Sequence, residues 1–143
     1  MLRIRKAREK DLERLWEIIN QPGVIKYMPL ERPVPMSRVK KWYDSFVMFN
    51  RPTVFVLDVG KVIGACTIRD NGRMTLWIDE DYWGKGHGKR AVAYLKKYAK
   101  SKGIDRLWLN CMKENKNALA CYGSLGFGRV GEKGKEVIME LPI

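Results

Sequence analysis

Tyr82-Trp83-Gly84-Lys85-Gly86-His87-Gly88-Lys89-Arg90 (YWGKGHGKR) sets three alternate glycines in a five-residue span among four basic side chains. A turn that only reversed the chain would not need them. The stretch just before it, MTLWID at 74–79, has the composition of a strand, and the residues after it have a helical period. Ala91, Val92, Leu95, Tyr98 and Ala99 trace one face of that helix, and Gly103 stands where a C-cap belongs. Glycines between a strand and a helix bring backbone N–H groups close to a phosphate, and the helix N-terminus adds the positive end of its dipole. Two familiar phosphate motifs do not fit. A Walker loop needs four residues between its glycine and the Gly-Lys pair and a Ser or Thr after it; here three residues separate Gly84 from Gly88-Lys89, and Arg90 follows. The dinucleotide fingerprint needs two residues between its last glycines, and only His87 lies between Gly86 and Gly88. Either an anion site of another type or a flexible basic turn remains, and the strand-glycine-helix order favours the anion site.

Working outward from this junction, the chain alternates in period. Leu2 and Ile4 against Arg3 and Arg5 suggest a half-buried first strand. Leu12, Leu15, Trp16 and Ile19 recur at helical spacing, and Pro22-Gly23 is expected to end that helix. MPLERPVPMS at 28–37 reads as an irregular loop, after which Ser37 is expected to cap a short helix with Val39, Trp42, Tyr43 and Phe46 on its apolar face. Hairpins are expected at Val59-Gly60-Lys61 and at Asp70-Asn71-Gly72-Arg73, because Asn-Gly suits the tight turns that match strand twist. Beyond the glycines come a strand at DRLWLNC, a second short helix at NKNALACYGSLG, and a final hairpin expected to turn between Gly131 and Gly134. The order β-α-α-β-β-β-α-β-α-β-β predicts one mixed α/β (α+β) domain over residues 1–143, a mostly antiparallel sheet flanked by helices.

Composition narrows the function classes. The 45% hydrophobic and 10% aromatic content belongs to a globular chain. No apolar run is long enough to span a bilayer, and the charged N-terminus lacks a signal-peptide core. Cys66, Cys111 and Cys121 have no metal-ligand spacing, so buried thiols in a reduced, cytoplasmic protein are expected, and no metal. A formal charge of +12 points to an anionic partner or to a lysine-rich surface.

Two motifs together carry a family resemblance. Trp83-Gly84-Lys85-Gly86-His87-Gly88 is similar to the signature of the GCN5-related N-acetyltransferases, which is Gln or Arg, two residues, Gly, one residue, then Gly or Ala. Trp83 replaces the usual first residue; the Trp-Gly-Lys-Gly form resembles the branch acting on ribosomal-protein N-termini and polyamines. Downstream, Asn115, Ala118, Cys121, Tyr122, Gly126 and Phe127 match the family pattern Asn-x-x-Ala-x-x-Leu-Tyr-x-x-x-Gly-Phe except at Cys121. The resemblance spans essentially the whole chain, with the first fifty residues least diagnostic.

The resemblance implies the family fold and an acetyl-CoA-dependent N-acetyltransferase, with coenzyme A as product and an amine as acceptor. It implies cofactor contacts from the backbone of Leu76, Trp77 and Ile78, from the loop Trp83, Gly84, Lys85, Gly86, His87, Gly88 and Lys89, and from Asn115 and Tyr122; Lys116 is a further candidate for the phosphates. A backbone N–H on the strand before the glycines would face the thioester carbonyl. Tyr122, a phenol of ordinary pKa about 10, suits donation to a departing thiolate. A lysine-like amine is protonated at neutral pH and needs a base or a water chain. The family often carries a Glu on the fourth strand, but this strand holds no acid, which leaves Glu80 as the first candidate beside Asp70 and Asp79 at the strand ends. Cys111 without a paired His reads as a buried thiol. The acceptor side is expected among the first helices and loop, where Tyr27, Met28, Trp42, Tyr43 and Phe46 gather, though most of these belong to the core. The acceptor is expected to be a protein or peptide amine, or a small amine; the positive charge favours an acidic substrate surface and disfavours polyamines. A basic nucleic-acid module and a cofactor-binding but inactive relative are the competing readings; no membrane partner is expected, and the assembly is expected to be a monomer or homodimer.

Overall fold

The structure, a computed structural model, describes residues 1–49 and 53–143. Two small sheets form its frame. In the first, β1 (Arg3–Lys6), β2 (Thr53–Asp58), β3 (Val62–Ile68) and β4 (Met74–Ile78) pair antiparallel in that order. In the second, β5 (Arg106–Met112) and β6 (Gly128–Lys133) flank β7 (Glu136–Pro142), again antiparallel. All seven residues of β3 are buried, so its run VIGACTI is apolar or small on both faces.

One face is covered by α1 (Leu12–Ile19), α2 (Pro22–Ile25) and α3 (Met36–Phe49), which share a core with Val54, Val56, Val62 and Ala65. The other face carries α4 (His87–Ser101), whose Ala91, Val92, Leu95 and Ala99 are buried at helical spacing. That second core continues into α5 (Lys116–Ser124) and into Leu107, Leu109, Val137 and Met139 of the other sheet. α4 therefore ties the two sheets together by packing. It ends in a Schellman cap: Gly103 has φ +72°, and the Ile104 N–H donates to the Ala99 carbonyl at 2.9 Å. Among the described residues no helix is long and apolar enough to cross a membrane.

The hairpins at Gly60 and Gly72 form as the sequence predicts, with φ +95° and +88° at the two glycines. Three local expectations change. Pro22 follows the end of α1 but also opens α2, because proline fits the first turn of a helix. Ser37 lies inside α3 and does not cap it, since the helix starts at Met36 and the Arg38 N–H donates to Pro35. Gly131 lies within β6 after a bulge at Arg129–Gly131, and the last turn is Gly134-Lys135. Val39 is buried and Trp42 and Tyr43 are partly so in the α1–α3 core; the side chain of Phe46 lies outside the described residues.

Candidate active site

The two sheets meet at one point. β4 and β5 run parallel, but among the described residues they share only the bridge Arg73–Trp108, where the Trp108 N–H donates to the Gly72 carbonyl at 3.0 Å. Gly72 has no side chain to hold the sheets apart: a Cβ there would lie 2.1 Å from the Arg106 carbonyl oxygen. The Trp108 ring carries the guanidinium of Arg73 at 5.5 Å and that of Arg106 at 5.7 Å, and its indole N–H donates to the Asn71 carbonyl at 3.0 Å. From this apex the strands separate and leave the outer edge of β4 unpaired.

The antiparallel ladder decides which groups face the gap. The Arg69 N–H donates to Arg73 and the Asp79 N–H to Ile63, so residues 73, 75, 77 and 79 spend their backbone groups on β3. Residues 74, 76 and 78 turn theirs outward. Leu76 and Ile78 thus offer N–H groups along the gap, while the backbone of Trp77 is engaged with Ala65. The Ile78 carbonyl is taken by the indole N–H of Trp83 at 2.8 Å, which gives Trp83 a role that its place in the motif does not reveal.

The glycine stretch is next along the chain. Gly84 and Gly86 have φ +74° and +83°, and a Cβ at either would meet nothing within 4 Å, so the loop is an open cradle. Gly88 lies over Leu76 and Ile78, each 3.7 Å from where its Cβ would be. The Arg90 N–H is the first to bond back, to Gly86 at 3.2 Å, which leaves the N–H groups of His87, Gly88 and Lys89 directed out of the helix start. Lys85 and Lys89 are exposed beside them, with the Lys85 ammonium 5.6 Å from the Tyr82 ring. Such an arrangement can hold an anion.

Three side-chain atoms among the described residues are buried without a partner: Trp77 Nε1, His87 Nδ1 and Asn110 Oδ1. They belong to the three elements that bound the gap, β4, the start of α4, and β5. A buried polar atom left unpaired costs its full desolvation, so each of the three is a group that a water or a ligand can complete.

On the far wall, Asn115 caps α5 by accepting the Ala118 N–H at 3.3 Å, and its amide nitrogen bonds to none of the described residues. Tyr122 stacks edge-on against Phe127, with centroids 5.5 Å apart. Burial pushes its phenol well above its ordinary value. Tyr122 packs, partly buried, against the core that α4 and α5 share with both sheets. Its hydroxyl bonds to none of the described residues. Burial pushes the Cys66 thiol up to about 12 and raises that of Cys111, so neither is a nucleophile at neutral pH.

Of the three candidate acids, Asp79 and Glu80 follow one another at the exit of β4 and Asp70 lies before its start. Asp79 is 2% exposed and forms an ion pair with Arg14. Burial works to raise its carboxyl, but the Asp81 N–H, Gln21 and Arg14 outweigh that and hold it below the usual range. Glu80 accepts the Gly23 N–H at 2.9 Å through Oε2, and its own N–H donates to Gln21 at 2.8 Å. Asp70 sits in the turn at the apex, on the order of 17 Å from the glycines at about 3.3 Å per strand residue. There it lines a 310 Å³ cavity with Thr53, Arg69, Tyr98 and Lys102. Of the residues expected to face the acceptor, Met28, Trp42 and Tyr43 pack into the α1–α3 core, and Lys26 lies 5.2 Å over the ring of Tyr27. Asn110 is the site residue that motif reasoning does not find; its signal is an amide in the middle of an apolar strand, where Asn is depleted.

A gap between parallel strands that ends in a glycine cradle and a helix start can take an elongated molecule that carries phosphate. The acetyltransferase (GNAT) family matches residues 12–127. The chain belongs to that family. An uncharacterized N-acetyltransferase of Bacillus subtilis, YobR, is 31% identical over 102 residues, 71% of this chain. The chain spans well under two thirds of the curated relatives it matches, 37% of YobR and 29% of a second. The fold is shared with spermidine N-acetyltransferase of Vibrio cholerae, solved with CoA and spermine, at TM-score 0.85 and 19% identity over 99% of this chain and 95% of that one. It is shared equally with yncA of Salmonella typhimurium, solved with its cofactor acetyl-CoA, at TM-score 0.80 and 21% identity over 99% and 94%.

Proposed function

We propose that this chain transfers the acetyl group of acetyl-CoA to a primary amine by direct attack in a ternary complex. The observation that carries the reading is the unpaired edge of β4 leading straight into the open glycine cradle at the start of α4. When bound, acetyl-CoA supplies an activated acyl thioester. The N–H groups of Leu76 and Ile78 extend the sheet edge to the pantetheine amides, in the manner of an added strand. The N–H groups of His87, Gly88 and Lys89, with the ammoniums of Lys85 and Lys89, hold the diphosphate. Asn115 donates its amide N–H to the arm. A β4 N–H faces the thioester oxygen and stabilises the charge that develops there.

The Tyr122 hydroxyl donates to the departing sulfur. Its raised pKa keeps it protonated throughout the working range and makes it a hydrogen-bond donor to the thiolate more than a strong acid. The acceptor amine loses its proton through a water chain. Glu80 is the acid that can end such a chain: it is half-buried, and its Oε1 is engaged by none of the described residues. Asp79 is locked by Arg14, and Asp70 lies at the apex. The charge of +12 attracts acidic protein or peptide acceptors and repels polyamines.

The test is a thermal melt with acetyl-CoA followed by thiol release over a panel of amines. Acetyl-CoA is expected to raise Tm by mass action. No shift at millimolar acetyl-CoA refutes the reading, and a salt-steep affinity for nucleic acid without that shift supports a nucleic-acid module instead.

A further inference from the structure

α4 carries more charge than the glycine cradle uses. From Trp83 to Ile104 the chain holds seven Lys or Arg residues and no Asp or Glu, so over half of the formal charge of +12 sits in one segment. Ala91, Val92, Leu95 and Ala99 hold one side of the helix against the core, and Lys89, Ala93, Lys96, Lys97 and Lys100 are exposed on the other. At 3.6 residues per turn those five lie within about 100° around the axis, and Lys89 and Lys100 stand about 16 Å apart along it.

This face is not neutralised within the molecule. Elsewhere cations meet acids: Arg5 with Asp11 and Asp58, Arg38 with Glu31, Arg106 with Glu140, Lys113 with Glu132. Among the described residues none of Lys89, Lys96, Lys97 and Lys100 pairs with a carboxylate. The helix dipole favours a cation in the last turn, which accounts for Lys100 but not for Lys96 or Lys97. Lys96 and Lys100 also stand at i,i+4, where like charges weaken a helix. An outside anion offsets that cost, and the cradle uses only Lys89, about 10 Å short of Lys96 along the axis.

The occupant is long and densely charged. Protein interfaces bury aromatic residues and are depleted in Lys, whereas this face offers ammoniums and the methyl of Ala93. A helix that enters a bilayer needs a free apolar face, and that of α4 is spent on the core. Single strands are gripped by stacking on exposed rings, but Tyr94 and Tyr98 of α4 are turned onto Phe55, with centroids at 5.0 and 5.1 Å. A nucleic-acid duplex fits: at one charge per about 1.7 Å, it presents about nine phosphates over the length of the stripe.

We infer that the outer face of α4 docks the phosphate backbone of a nucleic-acid duplex through Lys96, Lys97 and Lys100, with Lys89 at its end. Contact with the backbone alone carries no sequence preference. The face is turned away from the core that α4 shares with both sheets, so docking and acetyl transfer are compatible. The inference stands apart from the acetyl-transfer reading.

The test follows a labelled DNA duplex of mixed sequence by fluorescence anisotropy between about 50 and 200 mM salt. Four phosphate contacts give an expected slope of log K on log salt of about −3.6. Lys96→Gln/Lys97→Gln/Lys100→Gln is expected to flatten it to about −1 and to weaken binding at least roughly ten-fold at the lowest salt. Lys10→Gln/Lys41→Gln/Lys133→Gln removes the same charge from exposed positions elsewhere and is expected to keep the slope within about 1 of the wild type. Tm within about 2 °C of the wild type shows that both variants are folded. No binding at about 50 mM salt, equal losses in the two variants, or tighter binding to poly-glutamate, to phosphatidylserine vesicles or to a single strand of equal length overturns the inference. A protein that keeps the lysine-dependent slope but does not melt higher with acetyl-CoA loses the transfer reading and keeps this one.

Discussion

Replacing Gly72 by alanine inserts a methyl group where the two sheets meet. At φ +88° a side chain already costs about 1–2 kcal/mol. The new Cβ would lie 2.1 Å from the Arg106 carbonyl oxygen, and that obstacle is backbone. β5 has to retreat by at least about 1.3 Å to reach ordinary contact. The retreat stretches the 3.0 Å bond from Trp108 to Gly72, worth about 1 kcal/mol, and adds overpacking of about 1–3 kcal/mol. The whole comes to about 4 kcal/mol, or roughly 10 °C in Tm for a chain of this size. Gly60→Ala is the control: its φ is +95°, but nothing lies within 4 Å of its Cβ, so strain alone remains, roughly 4 °C. Thermal unfolding of the wild type and the two variants, with and without acetyl-CoA, reads both effects. The acetyl-CoA-induced shift is expected to shrink in Gly72→Ala and to persist in Gly60→Ala. Equal Tm losses in the two variants refute the argument that the apex depends on the missing Cβ.

Tyr122→Phe is expected to leave stability within about 0.5 kcal/mol of the wild type, because the hydroxyl bonds to none of the described residues, while lowering kcat about 10- to 100-fold for loss of a bond to the thiolate; full turnover removes Tyr122 from the chemistry. Arg5 holds Asp11 through bonds of 2.9 and 3.0 Å and Asp58 through one of 3.1 Å; both carboxyls lie below the ordinary range, Asp58 first through the Gly60 N–H at 2.8 Å and then through Arg5, Asp11 despite the opposing cost of burial. A depressed folded-state pKa gives stability that is present above the unfolded value and lost as pH falls through the folded one. Tm is therefore expected to stay level down to about pH 5 and to drop below about pH 4, with a shallower drop in Asp11→Asn; an identical acid slope in that variant counts against the pair. In native protein at neutral pH a thiol reagent is expected to label exposed Cys121 promptly and to reach Cys66 and Cys111 only after denaturation, and three equally fast thiols contradict the burial described.

Much of this was legible because it is local. The Asn71-Gly72 turn, the helical face of Ala91, Leu95 and Ala99, and the glycine spacing each announce themselves within a few residues. Long-range consequences of the same residues do not. Asn71-Gly72 signals a hairpin, but no spacing tells that Gly72 also admits the Arg106 carbonyl, thirty-four positions on. Glu80 reads as a free acid until Gly23, fifty-seven positions earlier, supplies the N–H that holds it. Trp83 looks like a departure from a motif, and only the fold brings its indole to Ile78. Leu76, Trp77 and Ile78 look equivalent in sequence; the ladder parity that separates Trp77 from its neighbours is a property of pairing with β3.

The turn between α1 and α2 is sewn to the exit of β4 at several points: Arg14 to Asp79, Gln21 to the Glu80 N–H, the Gly23 N–H to Glu80, with the Trp83 ring within 2.9 Å of where a Gly23 Cβ would be. That sets how such a protein can evolve. A substitution at Gln21 or Gly23 also disturbs the loop that begins four residues after Glu80, so this wall drifts only with compensating changes in the loop. The β6–β7 hairpin has no bond to that loop among the described residues and is free to vary. The α1–α2 turn and the glycine loop are then expected to change together or not at all.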